Sequence, residues 1–286
     1  MITIHNTRIE IQIQEPGSSY RRSRFDWSGI CQQITLDGKH TFCSQEATKD
    51  QPGTEGVGLM DEFGINTPIG YNQIDIGDWF PKIGIGFLQK VSNDPYNFFS
   101  DYAIQPVPTS FEQDRNDKVS FLQESEILNG WGWRLRKTLT LDGPGLSIEY
   151  ALENRGEKPL VTEQYNHNFI AIDGKEIGPD YRLKTSFLQK FELINGGVQV
   201  DDDNLNLTEI PPTFIYVMQS NCEGLQNTEW RLSHQPSGHG LQVSEQFPLF
   251  KFALWGMSHV ISPEFFIWID LQPGQTRTWQ RKYTFY

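Results

Sequence analysis

Apolar and polar residues alternate one for one, in short runs, from one end of this chain to the other. A period of two permits little besides β-sheet. Ile9, Ile11 and Ile13 fall on one side of an extended segment, with Glu10 and Gln12 on the other. Leu135, Leu139 and Leu141 share a face in WRLRKTLTL, as do Leu146, Ile148, Tyr150 and Leu152 in LSIEYAL. Near the C-terminus Trp279, Tyr283 and Phe285 alternate with Thr278, Gln280 and Thr284. Successive side chains of a strand point to opposite faces, so each run has one face to bury. Turn chemistry separates the runs: Asp37-Gly38, the DGPG of residues 142–145, and Pro273-Gly274 after EFFIWIDL. No long window carries apolar residues at i, i+3, i+4 and i+7, which predicts short and few helices. Many strands with no helices to cover a parallel sheet predict a large antiparallel β-sandwich. The 25 Gly and 16 Pro are scattered, not gathered into a linker, so a single domain spanning 1–286 is expected.

One stretch departs from the pattern. Residues 44–70 (SQEATKDQPGTEGVGLMDEFGINTPIG) are polar and turn-rich, which predicts a long irregular segment of functional or mobile character. The DDDN at 201–204 lacks the glycine and distal glutamate of a calcium loop and reads as a solvated turn.

Composition narrows the function classes. Aromatics are 13% of the chain, ample for a large core, and 24 Lys and Arg against 36 Asp and Glu leave a net charge of −12. So acidic a chain has no basic footprint for nucleic acid, and an anionic membrane surface repels it. No run nears the roughly 18 apolar residues of a membrane span. The opening MITIHNTRIEIQIQE has neither the basic nor the apolar region of a secretory leader. Three cysteines at no metal-ligand spacing (Cys31, Cys43, Cys222) read as reduced thiols, so the expected location is the cytoplasm.

The motif scan removes more. There is no G-x-S-x-G elbow, no H-E-x-x-H, no P-loop and no complete G-x-G-x-x-G, so neither a metal nor a nucleotide cofactor is expected. Acid/base chemistry, binding, or both remain. His167 lies in TEQYNHNFIAIDG among Gln164, Asn166 and Asn168. Amides around an imidazole can fix its tautomer and orientation, which proton transfer requires; a structural histidine paired with backbone is the plainer alternative. His5, His40, His234, His239 and His259 suggest no role. Glu264 stands immediately before a strongly apolar run, and Asp61 and Glu62 sit in the irregular segment; all three are candidates to line a cleft. Trp27, Trp79, Trp131, Trp133 and Trp255 offer either flat faces for the C–H side of a sugar ring or ordinary core.

The run WRLRKTLTLDGPGLSIEYALENRGEKPLVTEQYNHNFIAIDG, the ending SPEFFIWIDLQPGQTRTWQRKYTF and YRRSRFDWSGI near the start together resemble the aldose 1-epimerase (galactose mutarotase-like) superfamily. The likeness is to its uncharacterised sugar-epimerase-like branch. It implies a β-supersandwich with a sugar, free or phosphorylated, in a cleft on one face, and no cofactor. It also implies that His167, protonated, gives a proton to the ring oxygen while Glu264, ionised, takes one from the anomeric hydroxyl. Arg24 is the counterpart of a hydroxyl-binding arginine. The family's second histidine has no equivalent between Cys43 and Asn166, and Lys82 is the candidate replacement. Arg24, Glu62, Lys82 and Asn166 are therefore the expected substrate-binding residues. Arg21, Arg22 and Arg24 invite a hexose-6-phosphate reading, although a solvated basic patch accounts for the trio equally simply. A non-catalytic carbohydrate-binding protein of the same fold is the other alternative.

Overall fold

The computed structural model describes residues 1–49, 53–185, 187, 191–222 and 224–286. Among them the regular structure is 22 strands and two three-residue 3-10 turns, Tyr71–Gln73 and Ile172–Gly174. Every strand pairing is antiparallel. Nineteen strands form one continuous curled sheet, and Trp79–Lys82, Gly86–Gln89 and Ile104–Pro106 form a small separate one. The large all-β antiparallel architecture predicted from the alternation, which the resemblance sharpens to a supersandwich, is the one observed.

The alternation translates directly into burial. In Trp133–Asp142 and Gly145–Asn154 every second residue is buried, and the two strands run in register from Trp133↔Asn154 to Asp142↔Gly145. The final strand, Thr276–Phe285, pairs with the second of these. A second layer contains Ile9–Ile13, Cys31–Leu36, Leu59–Phe63, Leu160–Asn168 and Val260–Leu271. One 19-residue strand, His239–Met257, belongs to both layers. Its residues 241–246 pair with the final strand, and from Leu249 onward it pairs with Val260–Leu271. The changeover carries a register shift between Leu249 and Lys251, a bulge that bends and twists the strand. Inward side chains of both layers make one apolar cluster that reaches from Ile2 to Phe285.

The 44–70 segment is not irregular throughout. It contains the strand Leu59–Phe63, buried on both faces, which pairs with Leu160–Asn168 through Asn166↔Asp61, Tyr165↔Glu62 and His167↔Met60. Two acidic residues in LMDEF hide a central strand from any reading of hydrophobic periodicity. Gly58 admits it: at φ +61°, a Cβ there would stand 1.9 Å from the Cys31 carbonyl oxygen. Residues 50–52 of that segment lie outside the described residues. The DDDN turn is as expected, with Asp201 opposite Asn204. The three cysteines are free thiols, and no helix among the described residues is long and apolar enough to cross a membrane.

Candidate active site

The same period of two decides which side chains meet in the second layer. On Leu160–Asn168, Tyr165 and His167 share one face while Gln164, Asn166 and Asn168 share the other. Directly opposed partners lie on the same side, so Glu62 joins Tyr165 and Asp61 joins Asn166. Across the neighbouring pair, Glu264 opposes Ala253 and Phe266 opposes Lys251. The outer face of this layer thus collects Tyr165, His167, Lys251, Trp255, Glu264 and Phe266. All six line a cavity of about 560 Å³, together with Arg24, Glu46, Tyr96 and Phe98 among others. Volume and lining, aromatic walls interrupted by charged and polar side chains, are those of a small-molecule site.

In the cavity wall His167 Nε2 stands 3.2 Å from Glu264 Oε1. Ser262 Oγ donates to the same carboxyl oxygen at 3.2 Å. The amides expected to orient His167 do not: they project to the opposite face, as period two requires. Rings hold it instead. Phe169 stacks on the imidazole at 3.9 Å between centroids, and Phe25 and Trp255 meet it edge-on at 5.7 and 5.4 Å. Its Nδ1 has no hydrogen-bond partner among the described residues.

This enclosure biases where a proton rests. Burial, seconded by the Arg24 charge, pushes the His167 pKa well below its usual 6.5. Burial also raises Glu264 from 4.5 to about 8, against the pull of Arg24, Lys251 and the Ser262 hydroxyl. Both shifts favour a proton on the carboxyl over one on the imidazole. The ionised Glu264 and protonated His167 that the family resemblance implies run against both shifts, because a zwitterion is costly in so dry a place.

Arg24 lines the cavity, and its guanidinium is tied on three sides. Nε donates to Glu62 at 2.9 Å, Nη1 to Thr54 Oγ1 at 3.0 Å and Nη2 to Tyr165 Oη at 3.1 Å. The Phe25 and Phe98 rings cover it at 4.5 and 4.2 Å. Glu62, Lys82 and Asn166 do not line the cavity. Glu62 lies beneath Arg24, accepting Tyr165 Oη at 2.6 Å and Lys82 Nζ at 3.3 Å. Lys82 reaches the cavity only through Tyr96 Oη, 3.2 Å away. Asn166 donates to Asp61 on the inner face, at 3.1 Å.

Asp61 also faces inward, into a charged network between the layers. Lys137 Nζ, from the opposite layer, sits 2.6 Å from Asp61 and 2.8 Å from Asp26, and these carboxylates outweigh burial to hold its charge. Arg281 pairs with Glu245 and donates to Gln164 Oε1 at 2.9 Å. Burying such ions costs several kcal/mol each, offset only by this direct pairing. The network anchors the strand that carries His167 from behind.

Of the five tryptophans singled out, Trp255 lines the cavity, Trp131 and Trp133 are core, and Trp27 and Trp79 are half-buried outside it. Lys251 was not singled out, although one lysine amid FPLFKFALW, four residues before Trp255, is a signal for it. Its ammonium lies over the Phe266 ring at 3.9 Å, with neither hydrogen bond nor ion pair among the described residues. Arg21 and Arg22 line an adjoining cavity of about 340 Å³ instead, with Arg22 held by Glu55 at 2.7 Å.

No family model matches the sequence, and no curated protein matches it. Solved structures do. A galactose mutarotase-like protein from Lactobacillus casei superposes with a TM-score of 0.62 at 16% identity, over 100% of both chains. A galactose mutarotase related enzyme from Lactobacillus acidophilus gives 0.59 at 11% identity, covering 100% of this chain and 97% of that one. An aldose epimerase homologue from C. elegans gives 0.51 at 12%, covering 100% and 98%. At such identities the likeness is one of fold.

Proposed function

From its galactose mutarotase-like fold and the pair in its cleft, we propose that the protein binds an aldose and exchanges its anomers. The observation that carries this reading is the His167–Glu264 contact of 3.2 Å inside a sugar-sized, aromatic-walled cavity. Opening a hemiacetal needs one proton removed at O1 and one delivered at the ring oxygen. A neutral imidazole beside a carboxylic acid supplies one acceptor and one donor. Glu264 gives its proton to the ring oxygen while His167 Nε2 takes that of the O1 hydroxyl; closure on the other face of the carbonyl reverses both transfers. Both groups belong to the protein, so the chemistry calls for no cofactor. Arg24, fixed by Glu62, Thr54 and Tyr165, presents its guanidinium edge to sugar hydroxyls, and Trp255 offers a flat wall to the C–H face of the ring.

A substrate with an anionic substituent, such as a hexose phosphate, is the second reading, favoured by the Lys251 ammonium in the same cavity, which has no ion pair among the described residues. Saturation-transfer NMR or polarimetry on α-glucose, α-galactose and their 6-phosphates tests both. Accelerated anomer exchange is expected, abolished in Glu264→Gln. Binding without acceleration would replace the enzyme by a carbohydrate-binding protein of the same fold.

A further inference from the structure

Away from the cleft, three segments distant in sequence bring together two imidazoles and a carboxylate. His40 opens the two-residue strand His40–Thr41, Asp173 sits in the turn Ile172–Gly174, and His239 begins the 19-residue strand. Each offers one ligand atom, and these atoms lie within 4.8 Å of one another. None of the three lines the cavity of the candidate active site. We propose that His40, Asp173 and His239 form a binding site for a divalent transition-metal ion of the zinc type.

Ligand chemistry comes first. Two imidazoles and one carboxylate are a donor set for zinc and its neighbours, leaving a fourth position for water. His40 Nδ1 and Asp173 Oδ2 stand 2.9 Å apart; ligands about 2.0 Å from a tetrahedral ion lie about 3.3 Å from each other, so a small adjustment suffices. The His40 and His239 rings lie side by side, 3.7 Å apart between centroids and tilted by 35°, so both imidazoles are already gathered at the carboxylate.

Supporting contacts come second. His239 Nδ1 faces the Tyr286 carbonyl oxygen at 3.2 Å, which places the ring proton there and leaves Nε2 as the free donor. A backbone carbonyl that fixes the tautomer of a ligating histidine is the usual arrangement at metal sites. Asp173 is a non-glycine residue at φ +51°, a conformation that costs energy and persists only where its surroundings impose it. What imposes it is the carboxylate: Oδ1 accepts the Thr41 backbone N–H at 2.9 Å while Oδ2 stays turned to His40. His40 and Asp173 are mostly buried yet open at one edge, 17% and 23% exposed, so an ion can enter from solvent and lose most of its water. A bound ion would tie the loop that leaves the His167 strand to both the edge of the second layer and the long shared strand.

The test titrates Zn2+ into EDTA-treated full-length protein by calorimetry, beside Asp173→Asn and a His40→Gln/His239→Gln double variant whose folding is checked by circular dichroism. One ion per chain is expected in the wild type, with affinity at least about tenfold weaker in each variant. In the wild type alone, Zn2+ should shift the imidazole NMR signals of His40 and His239 and leave that of His167 in place. No binding by the wild type, equal affinity in the folded double variant, or Zn2+-dependent shifts confined to other histidines would each overturn the site.

Discussion

Replacing Glu264 by glutamine should make the protein more stable at alkaline pH while ending anomer exchange. The carboxyl is 5% exposed, and burial is the chief cause of its rise from 4.5 to about 8. A group that binds its proton more tightly in the folded state contributes its full stability below the unfolded pKa and loses it as pH climbs through the folded one. At about 1.4 kcal/mol per pH unit, the loss between pH 4.5 and 8 reaches an upper bound of about 5 kcal/mol. His167 does not offset it by taking up a proton, because its own pKa is pushed well below 6.5. Glutamine keeps the shape, cannot ionise, and presents an N–H₂ to His167 Nε2. Urea unfolding of both proteins at a series of pH values from 4.5 to 9 reads the difference, in which every other titrating group cancels. Near pH 4.5 the two should agree within about 1 kcal/mol, with the variant ahead by several kcal/mol at pH 8 to 9. A difference independent of pH, or a wild type that remains the more stable at pH 8, would refute the argument that the carboxyl is held neutral at the expense of stability.

Other expectations follow from the same geometry. His167→Asn should lower kcat by about 10²–10⁴-fold while the protein stays folded, measured by saturation transfer; undiminished exchange would remove His167 from the chemistry. In the wild type, exchange should fall as pH rises through about 8, where Glu264 loses its proton, and on the acid side only well below pH 6.5, where His167 gains one. Lys137→Met strands the Asp26 and Asp61 carboxylates 2.8 and 2.6 Å from the lost ammonium. It should cost about 3–5 kcal/mol in chemical unfolding, in one cooperative transition if the chain is a single domain. Trp255→Ala should raise KM for the sugar more than it lowers kcat, in initial-rate measurements across sugar concentration. EDTA should leave anomer exchange unchanged even where it strips an ion from His40, Asp173 and His239, since acid and base are both side chains; loss of exchange, restored by a divalent cation, would contradict this.

The β architecture needed nothing beyond the sequence. The period of two in WRLRKTLTL and LSIEYAL, and the turns at Asp37-Gly38, 142–145 and Pro273-Gly274, state it locally, because one buried face per strand is a property of neighbours in the chain. His167 and Glu264 were legible as candidates too, one as a histidine in a strand, the other at the mouth of an apolar one. Their contact was not: 97 residues separate them, and only strand pairing through Gln164↔Ile267 and Ala253↔Glu264 puts them on one face. The strand Leu59–Phe63 stayed hidden because both its faces are buried among charges, which erases the alternation that marks a strand elsewhere. For the same reason Asn166 and Asp61 read as cleft residues while the fold turns them inward to Lys137. The bias on the proton between these two groups was beyond the sequence altogether. It depends on how much water reaches two side chains, and that is set by Phe25, Phe169 and Trp255 closing around them from three separate strands and loops.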